Sequence, residues 1–264
     1  MNHGPSKVLS LKGLTKWYGE KLVLDHIDLD VYEGQIIGYI GPNGAGKSTT
    51  VKIMLGLETS YSGEVEIFDQ NIKKSGVAYK KRIGYVPEAA DLYDSLTARE
   101  YLTFTGELYG LTADAADYKA RLLMSVFELE EVYDARISSY SKGMKQKVLL
   151  ISSLLHNPDI LFLDEPINGL DANSVMVFKE ILAQLAAQGK TIFYSSHIME
   201  VVQKISSRIL LLNDGKIVAD GSFEQLREKN KEGSLEEIFN QLTGFNEHQH
   251  LAEDFVQIVQ REQL

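Results

Sequence analysis

Apolar residues follow the period of β-strands through the first 40 residues of this 264-residue chain. VLSLKGL and LVLDHIDLDVY alternate apolar and polar positions, as half-buried strands do. The run IIGYI is continuously apolar, which is typical of a strand buried on both faces. STTVKIMLGL then carries its apolar residues at helical spacing. The pattern predicts a strand-rich N-terminal part with one early helix, continued by the two strands GEVEIFD and RIGYVPE.

Between about residues 95 and 155 the apolar residues recur with the period of helices instead of strands. The first predicted helix, SLTAREYLTFTGELYGL, begins at a capping pattern of Ser95, Thr97 and Glu100 and stops at Gly110. Two more helical patterns follow, ADYKARLLMSVFELEEV and KGMKQKVLLISSLLHN. The sequence therefore predicts a helical insert between two strand-containing parts.

Strands and helices alternate again after the insert. The patterns are DILFLDEP, SVMVFKEILAQLAAQG, TIFYSSH, IMEVVQKIS and the hairpin RILLLNDGKIVADGS, which turns at Asp214-Gly215. Such alternation predicts an α/β fold with a mainly parallel sheet covered by helices. A ligand is then expected at the carboxyl ends of the strands.

The last segment, LAEDFVQIVQREQL, has an amphipathic helical pattern. Leu251, Phe255, Ile258 and Val259 share one stripe, and the opposite face is polar. We expect residues 245–264 to form an extension that packs on its own domain rather than on a partner. The HQH at 248–250 lacks a third ligand and does not by itself indicate a metal site.

Composition narrows the class of protein. The hydrophobic share of 44% and charged share of 24% are those of a globular protein, and no apolar run approaches the roughly 20 residues of a membrane span. The net charge of −10 disfavours nucleic acid as a partner. The N-terminus lacks the pattern of a secretory signal, so the cytoplasm is expected. The absence of cysteine excludes disulfides and thiolate chemistry.

GPNGAGKS, from Gly41 to Ser48, fits the pattern of a phosphate-binding loop, and it lies between a buried strand and a helix. Glycines allow positive φ angles, which turn backbone N–H groups toward an anion at the start of the helix. Lys47 would reach the β- and γ-phosphates, and the Ser48 hydroxyl would bind Mg²⁺. The predicted nucleotide-binding residues of this loop are Asn43, Gly44, Ala45, Gly46, Lys47, Ser48 and Thr49.

Two carboxylates follow the apolar run ILFL. Asp164 ends this predicted strand and would hold Mg²⁺, as the corresponding aspartate does in P-loop NTPases. Glu165, one residue further, is placed to polarise the attacking water as a general base. The two motifs together predict a nucleotide hydrolase of the P-loop kind that uses a magnesium nucleotide.

SSYSKGMKQK between these two motifs, and NGLD and SSH after them, complete a pattern that resembles the ATP-binding subunit of ABC transporters. The resemblance extends from Val8 to about Gly244 and implies ATP and Mg²⁺ as cofactors. It implies a P-loop NTPase (RecA-like) core with an antiparallel N-terminal subdomain and an inserted helical subdomain. Residues 1–244 would form this ATPase domain.

The resemblance assigns roles to residues outside the phosphate loop. Tyr18 matches the aromatic that stacks on adenine, with Trp17 as the alternative. Glu88 takes the place of a glutamine that contributes to the metal site, a departure found mainly in export-type relatives. His197 matches the switch histidine that contacts the γ-phosphate.

The family signature Leu-Ser-Gly-Gly-Gln corresponds to residues 140–144, Tyr-Ser-Lys-Gly-Met, so only Ser141 and Gly143 are retained. In the family this signature binds the γ-phosphate held by a second subunit. Residues 168–171, ending in Asp171, match the loop that lines the dimer interface. One loop and one signature per chain imply a head-to-tail homodimer that closes on ATP.

The resemblance further implies a separate integral membrane permease as partner, docked between the helical insert and the segment around Glu88, most similar to bacterial exporters. The chain would then lie at the cytoplasmic face of the membrane. The alternative is a soluble ABC-type switch that remodels a macromolecular complex without a permease. A kinase or GTPase on the same loop would leave the signature, Asp171 and His197 unexplained.

Overall fold

The computed structural model describes residues 5–89, 91–231, 233–244 and 255–259. The strands are β1 Lys7–Tyr18, β2 Lys21–Tyr32, β3 Ile36–Ile40, β4 Ser62–Ile67, β5 Gln70–Asn71, β6 Ile83–Val86, β7 Ile160–Asp164, β8 Thr191–Ser195, β9 Arg208–Asn213 and β10 Lys216–Gly221. The helices are α1 Lys47–Met54, α2 Ala98–Leu108, α3 Ala113–Val126, α4 Lys142–Leu154, α5 Ala172–Ala187, α6 Met199–Ile205, α7 Phe223–Asn230 and α8 Leu235–Thr243.

A six-stranded sheet forms the centre, in the order β10-β9-β3-β8-β7-β6. All neighbours pair in parallel except β10, which forms the antiparallel hairpin with β9 around Asp214-Gly215. The five residues of β3 are buried, as its continuous apolar sequence predicts for a strand covered on both faces. The predicted mainly parallel sheet is confirmed.

The N-terminal strands form a second, antiparallel sheet, in the order β2-β1-β4-β5. Its buried leucines pack in one cluster with Ile53 and Met54 of α1 and with Tyr39 and Phe162 of the central sheet. The alternating pattern of β1 and β2 arises because only one face of this sheet is buried. The expected antiparallel N-terminal subdomain is therefore present, and α1 is held between the two sheets.

The opposite face of the central sheet is covered by α5, α6, α7 and α8. Phe178, Val202, Leu226 and Ile238 from these helices pack with apolar residues of the sheet such as Tyr194. Helices α7 and α8, which the sequence reasoning did not predict, begin at capping boxes. Helix α8 lies beside α6.

The helical insert consists of α2, α3 and α4 around its own apolar cluster. The predicted cap of α2 is Thr97, whose hydroxyl and Glu100 form a reciprocal capping box. The prediction for the second helix was wrong at both ends, since α3 begins after the cap residue Thr112 and ends before Glu128. The chain turns at Glu128, where φ is 59°.

The C-terminal predictions are tested only in part. Gly244, at φ 73°, follows α8, and the domain boundary at this residue stays a prediction. The HQH at 248–250 and the residues Leu251, Glu253 and Asp254 lie outside the described residues. Residues 255–259 are helical, but Phe255, Ile258 and Val259 are exposed. These three side chains do not show the expected packing against the domain, and for the rest of the extension the packing stays a prediction.

Candidate active site

The phosphate loop connects the carboxyl end of β3 to the first turn of α1. Gly44 and Gly46 have φ angles of 82° and 108°, which residues with a side chain rarely adopt. A Cβ at Gly46 would also lie 2.6 Å from Leu24 Cδ2 and 2.9 Å from the Val23 carbonyl oxygen. Conformation and space both require glycine here. The N–H groups of residues 47–49 then open α1 without helical partners of their own.

Hydrogen bonds from buried residues fix the conformation of the phosphate loop. Thr50 donates its hydroxyl hydrogen to the Gly46 carbonyl oxygen at 3.0 Å and accepts a hydrogen bond from the Tyr39 hydroxyl at 3.0 Å. Burial raises the pKa of Tyr39, so this phenol stays protonated as a donor. Ala45 is buried, whereas Asn43 and Ser48 are exposed at the surface of the loop. Sequence reasoning missed Tyr39 and Thr50, which carry no recognisable motif.

Lys47 lies where several acidic residues converge. Its ammonium group donates to the carbonyl oxygens of Gly41 at 2.6 Å and Pro42 at 3.1 Å. Burial lowers the pKa of Lys47, and the negative charges of Asp164, Glu165 and Glu88 oppose that shift. The structure thus brings the adjacent pair Asp164 and Glu165, together with Glu88 from a distant part of the sequence, close enough to Lys47 for their charges to interact. Glu88 itself is exposed, just after β6.

The parallel register of β7 and β8 sets Asp164 directly opposite Ser195. The Ser195 hydroxyl donates to the half-buried Asp164 carboxylate. Glu165 has a left-handed backbone, with φ 48°, and its N–H donates to the Ser195 carbonyl oxygen at 3.0 Å. The end of β7 is therefore tied to the end of β8 by both backbone and side chains.

The Glu165 carboxylate is fixed in turn by residues after β8. It accepts hydrogen bonds from the His197 N–H at 2.8 Å and the Ser196 hydroxyl at 3.1 Å. His197 Nδ1 lies 3.0 Å from the same carboxylate. The Glu165 side chain is 13% exposed and that of His197 is 71% exposed. The predicted base and the predicted switch histidine are in direct contact.

A second group of predicted residues lies around the start of α4. Ser141 caps this helix, accepting a hydrogen bond from the Met144 N–H at 3.2 Å, and remains exposed. A Cβ at Gly143 would lie 2.5 Å from the Gly169 carbonyl oxygen, so glycine allows the signature to contact the loop before α5. Within the described residues, no hydrogen bond or ion pair joins Ser141 or Asp171 to the phosphate loop.

The Asp171 carboxylate is bound by groups of its own chain. It caps α5 by accepting hydrogen bonds from the Ser174 N–H at 2.9 Å and the Ser174 hydroxyl at 2.6 Å. Lys147 of α4 lies 3.4 Å from the same carboxylate. The Ser174 hydrogen bonds, with Lys147 nearby, hold the pKa of Asp171 well below its usual range. The predicted contact of Asp171 with nucleotide stays a prediction.

Gln146, which sequence reasoning missed, completes this second group. Its buried side-chain amide donates to the Pro166 carbonyl oxygen at 2.9 Å. Helix α4 therefore contacts the turn after Asp164 at three places. These are the hydrogen bond from Gln146 to Pro166, the close approach of Gly143 to Gly169 and the ion pair of Lys147 with Asp171. A polar residue on the buried face of the amphipathic α4 is the signal that could have identified Gln146.

Comparison with known proteins agrees with this geometry. Residues 24–168 match the sequence profile of the family described as ABC transporter. The chain belongs to the ABC transporter family. A bacitracin transport ATP-binding protein of Bacillus licheniformis is 34% identical over 86% of this chain and 73% of its own length. A Nod factor export ATP-binding protein of Burkholderia lata is 31% identical over 94% of this chain and 84% of its own.

Two solved structures share the fold. One, described as the ATP-binding subunit of an ABC transporter, has a TM-score of 0.84 and 30% identity over 89% of this chain and 99% of its own. The other is a dimeric ATP-binding cassette in a post-hydrolysis state with ADP and Pi, with a TM-score of 0.75 and 26% identity over 81% of this chain and 98% of its own. This ABC transporter subunit accordingly binds and hydrolyses ATP.

The loop of this ABC transporter ATPase fits a triphosphate. A cradle of backbone N–H groups, a lysine and the start of a helix have the chemistry of an anion site, and ATP bound there would supply the phosphoanhydride to be cleaved. The described residues contain no cluster of three or more acidic or histidine ligands. If Mg²⁺ accompanies the nucleotide, Ser48 and Asp164 would supply its protein oxygen ligands, since that ion also keeps water and phosphate oxygens in its shell.

Tyr18, the predicted adenine contact, lies at the end of β1 and belongs to neither of the two groups described above. Its hydroxyl donates to Glu58 at 3.1 Å, and the Lys16 ammonium lies 4.3 Å from the centre of its ring. Tyr18 remains 45% exposed, so a planar base has ring surface to stack on. The alternative residue, Trp17, is 54% exposed, and the adenine contact of Tyr18 stays a prediction.

Proposed function

We propose that this ATPase drives export of a substrate through a separate membrane permease by closing and opening an ATP-bound homodimer. The observation that carries the proposal is the division of the predicted site into two groups. Lys47, Asp164, Glu165 and His197 surround the phosphate loop, while Ser141 is exposed elsewhere. Each group is half of a site, and a second copy supplies the missing half.

In the phosphate half, Lys47 binds the β- and γ-phosphates, and Ser48 and Asp164 hold Mg²⁺ with Glu88 nearby. Glu165 takes the proton of the attacking water, and His197 contacts the γ-phosphate while orienting Glu165. The support is the contact of Glu165 with His197, at 2.8 Å to its N–H and 3.0 Å to Nδ1. Removal of the γ-phosphate breaks the link between subunits, so hydrolysis opens the dimer.

In the signature half, Ser141 and Gly143 of one copy bind the γ-phosphate held by the other. The Ser141 hydroxyl already accepts the Met144 N–H, which leaves its hydrogen to donate to a phosphate oxygen. The start of α4 has no acidic residue in its first turn, which favours an anion there. A dimeric cassette among the similar structures supports this arrangement.

The permease docks on the helical insert beside the segment that carries Glu88. Tyr93 precedes α2 and is 67% exposed, and Phe104 and Leu108 leave apolar surface on α2 itself, at 49% and 64% exposure. Exposed aromatic and apolar side chains of this kind favour a protein contact. Within the described residues no helix has the length and apolarity to cross a bilayer. The proposed place of work is the cytoplasmic face of the membrane, through the permease.

Export is proposed because one similar protein is named for export of Nod factor and another for transport of bacitracin. The permease rather than this chain would contact the cargo.

The test is an affinity purification from detergent-solubilised native membranes, with Glu165→Gln and ATP to hold the closed state. Lys47→Ala, which should not close on ATP, is the matched control. We expect a multi-span membrane protein to copurify, more strongly with Glu165→Gln. Recovery of soluble partners alone, despite confirmed expression, would instead support a soluble ABC-type switch.

A further inference from the structure

A buried lysine lies against one face of the Tyr18 ring. The Lys16 ammonium group is 4.3 Å from the ring centre, and the Lys16 side chain is 4% exposed. Lysine is rarely buried to this extent, because removing an ammonium group from water costs free energy unless the group is paired and hydrogen-bonded. The burial of Lys16 therefore depends on partners within the chain.

Glu58, in the segment after α1, joins Lys16 to Tyr18. Its Oε1 lies 3.1 Å from the Lys16 ammonium group, and its Oε2 accepts the hydrogen bond from the Tyr18 hydroxyl at 3.1 Å. Lys16 also donates to the Ser60 carbonyl oxygen at 2.6 Å. The Ser60 N–H, together with Lys16 and Tyr18, holds the pKa of Glu58 below its ordinary value, so the carboxylate stays ionised beside the ammonium group.

These contacts hold the Tyr18 ring at two points. Glu58 binds the hydroxyl end of the ring, and Lys16 covers one of its two faces. The surface of Tyr18 that remains exposed therefore belongs mainly to the opposite face and the ring edges. A ring that is already fixed loses less conformational freedom when a planar group stacks on it, so more of the stacking energy is retained as affinity.

We propose that Lys16 is a positioning residue for the nucleotide base, which with Glu58 holds the Tyr18 ring in place and leaves one face open for adenine. The inference rests on the predicted stacking of adenine on Tyr18. Among the hydrogen bonds and ion pairs of the described residues, those of Lys16 reach only Glu58 and Ser60. Lys16 therefore acts on the base through the ring and leaves the phosphate contacts unchanged.

Lys16→Met tests the inference, since it removes the charge and keeps an unbranched side chain. The KM for ATP should rise roughly fivefold, as expected for loss of a desolvated cation–π contact. The value of kcat should stay the same, because a contact with the base binds substrate and transition state alike. Lys16→Arg keeps a cation for the ring and for Glu58, and it should restore most of the affinity.

Lys12→Met is the matched control for these kinetic measurements. Lys12 lies on the same strand and forms a more exposed ion pair with Glu66, at 3.8 Å. Its loss should change neither KM nor kcat, because Lys12 does not contact the Tyr18 ring.

The same substitution in a Tyr18→Ala background separates positioning from a general effect on stability. Tyr18→Ala alone should weaken ATP binding about tenfold in calorimetry, as loss of one base–aromatic stack does. In this background Lys16→Met should cause no further loss of affinity. Tripolyphosphate, which has no base, should bind equally to the parent, the two single variants and the double variant.

Glu58→Gln provides a second measurement that leaves the lysine in place. The amide oxygen can still accept from the Tyr18 hydroxyl, but the ion pair with Lys16 is lost, so the ring is held less firmly. ATP binding should weaken about twofold in the parent and not at all in the Tyr18→Ala background.

The outcomes separate the inference from the base contact on which it rests. Unchanged ATP affinity in Tyr18→Ala would overturn both. Weaker binding by Tyr18→Ala, with full affinity in Lys16→Met and Glu58→Gln, would overturn the inference and leave the base contact standing. A loss from Lys16→Met that is equally large without the ring, or that extends to tripolyphosphate, would also overturn it. Weaker ATP binding that requires Tyr18 and is restored by Lys16→Arg would support it.

Discussion

Glu165 adopts a backbone conformation that few residues with a side chain adopt, with φ 48°. Such a residue costs on the order of 1–3 kcal/mol and persists where its surroundings hold it. The surroundings here are the Ser195 carbonyl, the Ser196 hydroxyl and His197, all from the end of the neighbouring strand. The conformation turns the carboxylate away from Asp164, so two adjacent acids can serve different functions.

Glu165→Gln tests the role of this carboxylate. The amide oxygen can still accept from Ser196 and His197, so the fold and ATP binding should be retained, but the base is lost. Phosphate release should fall about 10²–10⁴-fold. The ATP-bound dimer should accumulate, as measured by size-exclusion chromatography. Glu107→Gln, on the exposed face of α2, is the control, and hydrolysis equal to that of the control would exclude Glu165 as base.

Lys47→Ala addresses the phosphate contact. Removal of a positive donor aimed at the β- and γ-phosphates should weaken ATP binding and lower turnover by about 10²–10³-fold. Fluorescent ATP-analogue binding and phosphate release measure the two effects. Lys52→Ala, further along α1, should change neither. Full activity of Lys47→Ala would point to a different nucleotide site.

Among the elements, α4 connects the signature with the turn that follows Asp164. The signature lies at the start of this helix. On the buried face of the helix, Gln146 contacts the turn that follows Asp164. We expect a displacement of the signature to be transmitted through these contacts to the turn that carries Glu165 and Asp171. Of the three contacts between α4 and this turn, the Gln146 amide supplies the buried hydrogen bond.

Gln146→Leu removes this hydrogen bond while keeping a similar volume. The Pro166 carbonyl oxygen loses its donor, which should destabilise the fold by about 1–3 kcal/mol in urea denaturation. Turnover should fall more than ATP binding, because the signature and the turn lose their register. Gln184→Leu on the surface of α5 should change stability by less than about 0.5 kcal/mol. An equal cost for both variants would contradict the proposed connection.

Element boundaries were the part of the fold that the pattern predicted least well. The apolar spacing of ADYKARLLMSVFELEEV continues past the end of α3, but a backbone turn at Glu128 stops the helix where periodicity gives no sign. Helices α7 and α8 are short, at eight and nine residues, and were not predicted, although each begins at a capping box that is visible in the sequence. Only α7 has a composition polar enough to resemble a loop. Strand β3 and the α2 cap were predictable because burial and capping each leave a local signature in sequence.

At the scale of the whole molecule, the grouping of residues in the proposed phosphate half could be predicted from sequence, because these residues lie at or just after strand ends. Parallel strands bring their carboxyl ends to one edge, so Lys47, Asp164 and His197 had to meet. The contacts made by Tyr39, Gln146 and α8 could not be predicted, since they depend on packing between elements distant in sequence. The same holds for the internal use of Asp171 as a cap.

Ser141→Arg tests the assembly of two chains. The substituted side chain is exposed and far from contacts of the phosphate loop, so binding of ATP to the monomer should be unchanged. Its bulk at the start of α4 should abolish ATP-induced dimerisation and reduce turnover to the level of the isolated chain. Ser138→Arg, exposed before the signature, is the control for bulk and charge. Normal dimerisation of Ser141→Arg in analytical ultracentrifugation would rule out the composite site.

Strand β8 lies between β3 and β7 in the sheet, although it follows both in the chain. The strand before the phosphate loop and the strand that carries Asp164 are therefore two strand spacings apart, about 9–10 Å, only when β8 is in place. A nascent chain that has not reached Thr191 contains the lysine and both carboxylates but not the strand that separates them. We therefore expect a fragment that ends before Thr191 to lack this spacing and to hydrolyse no ATP.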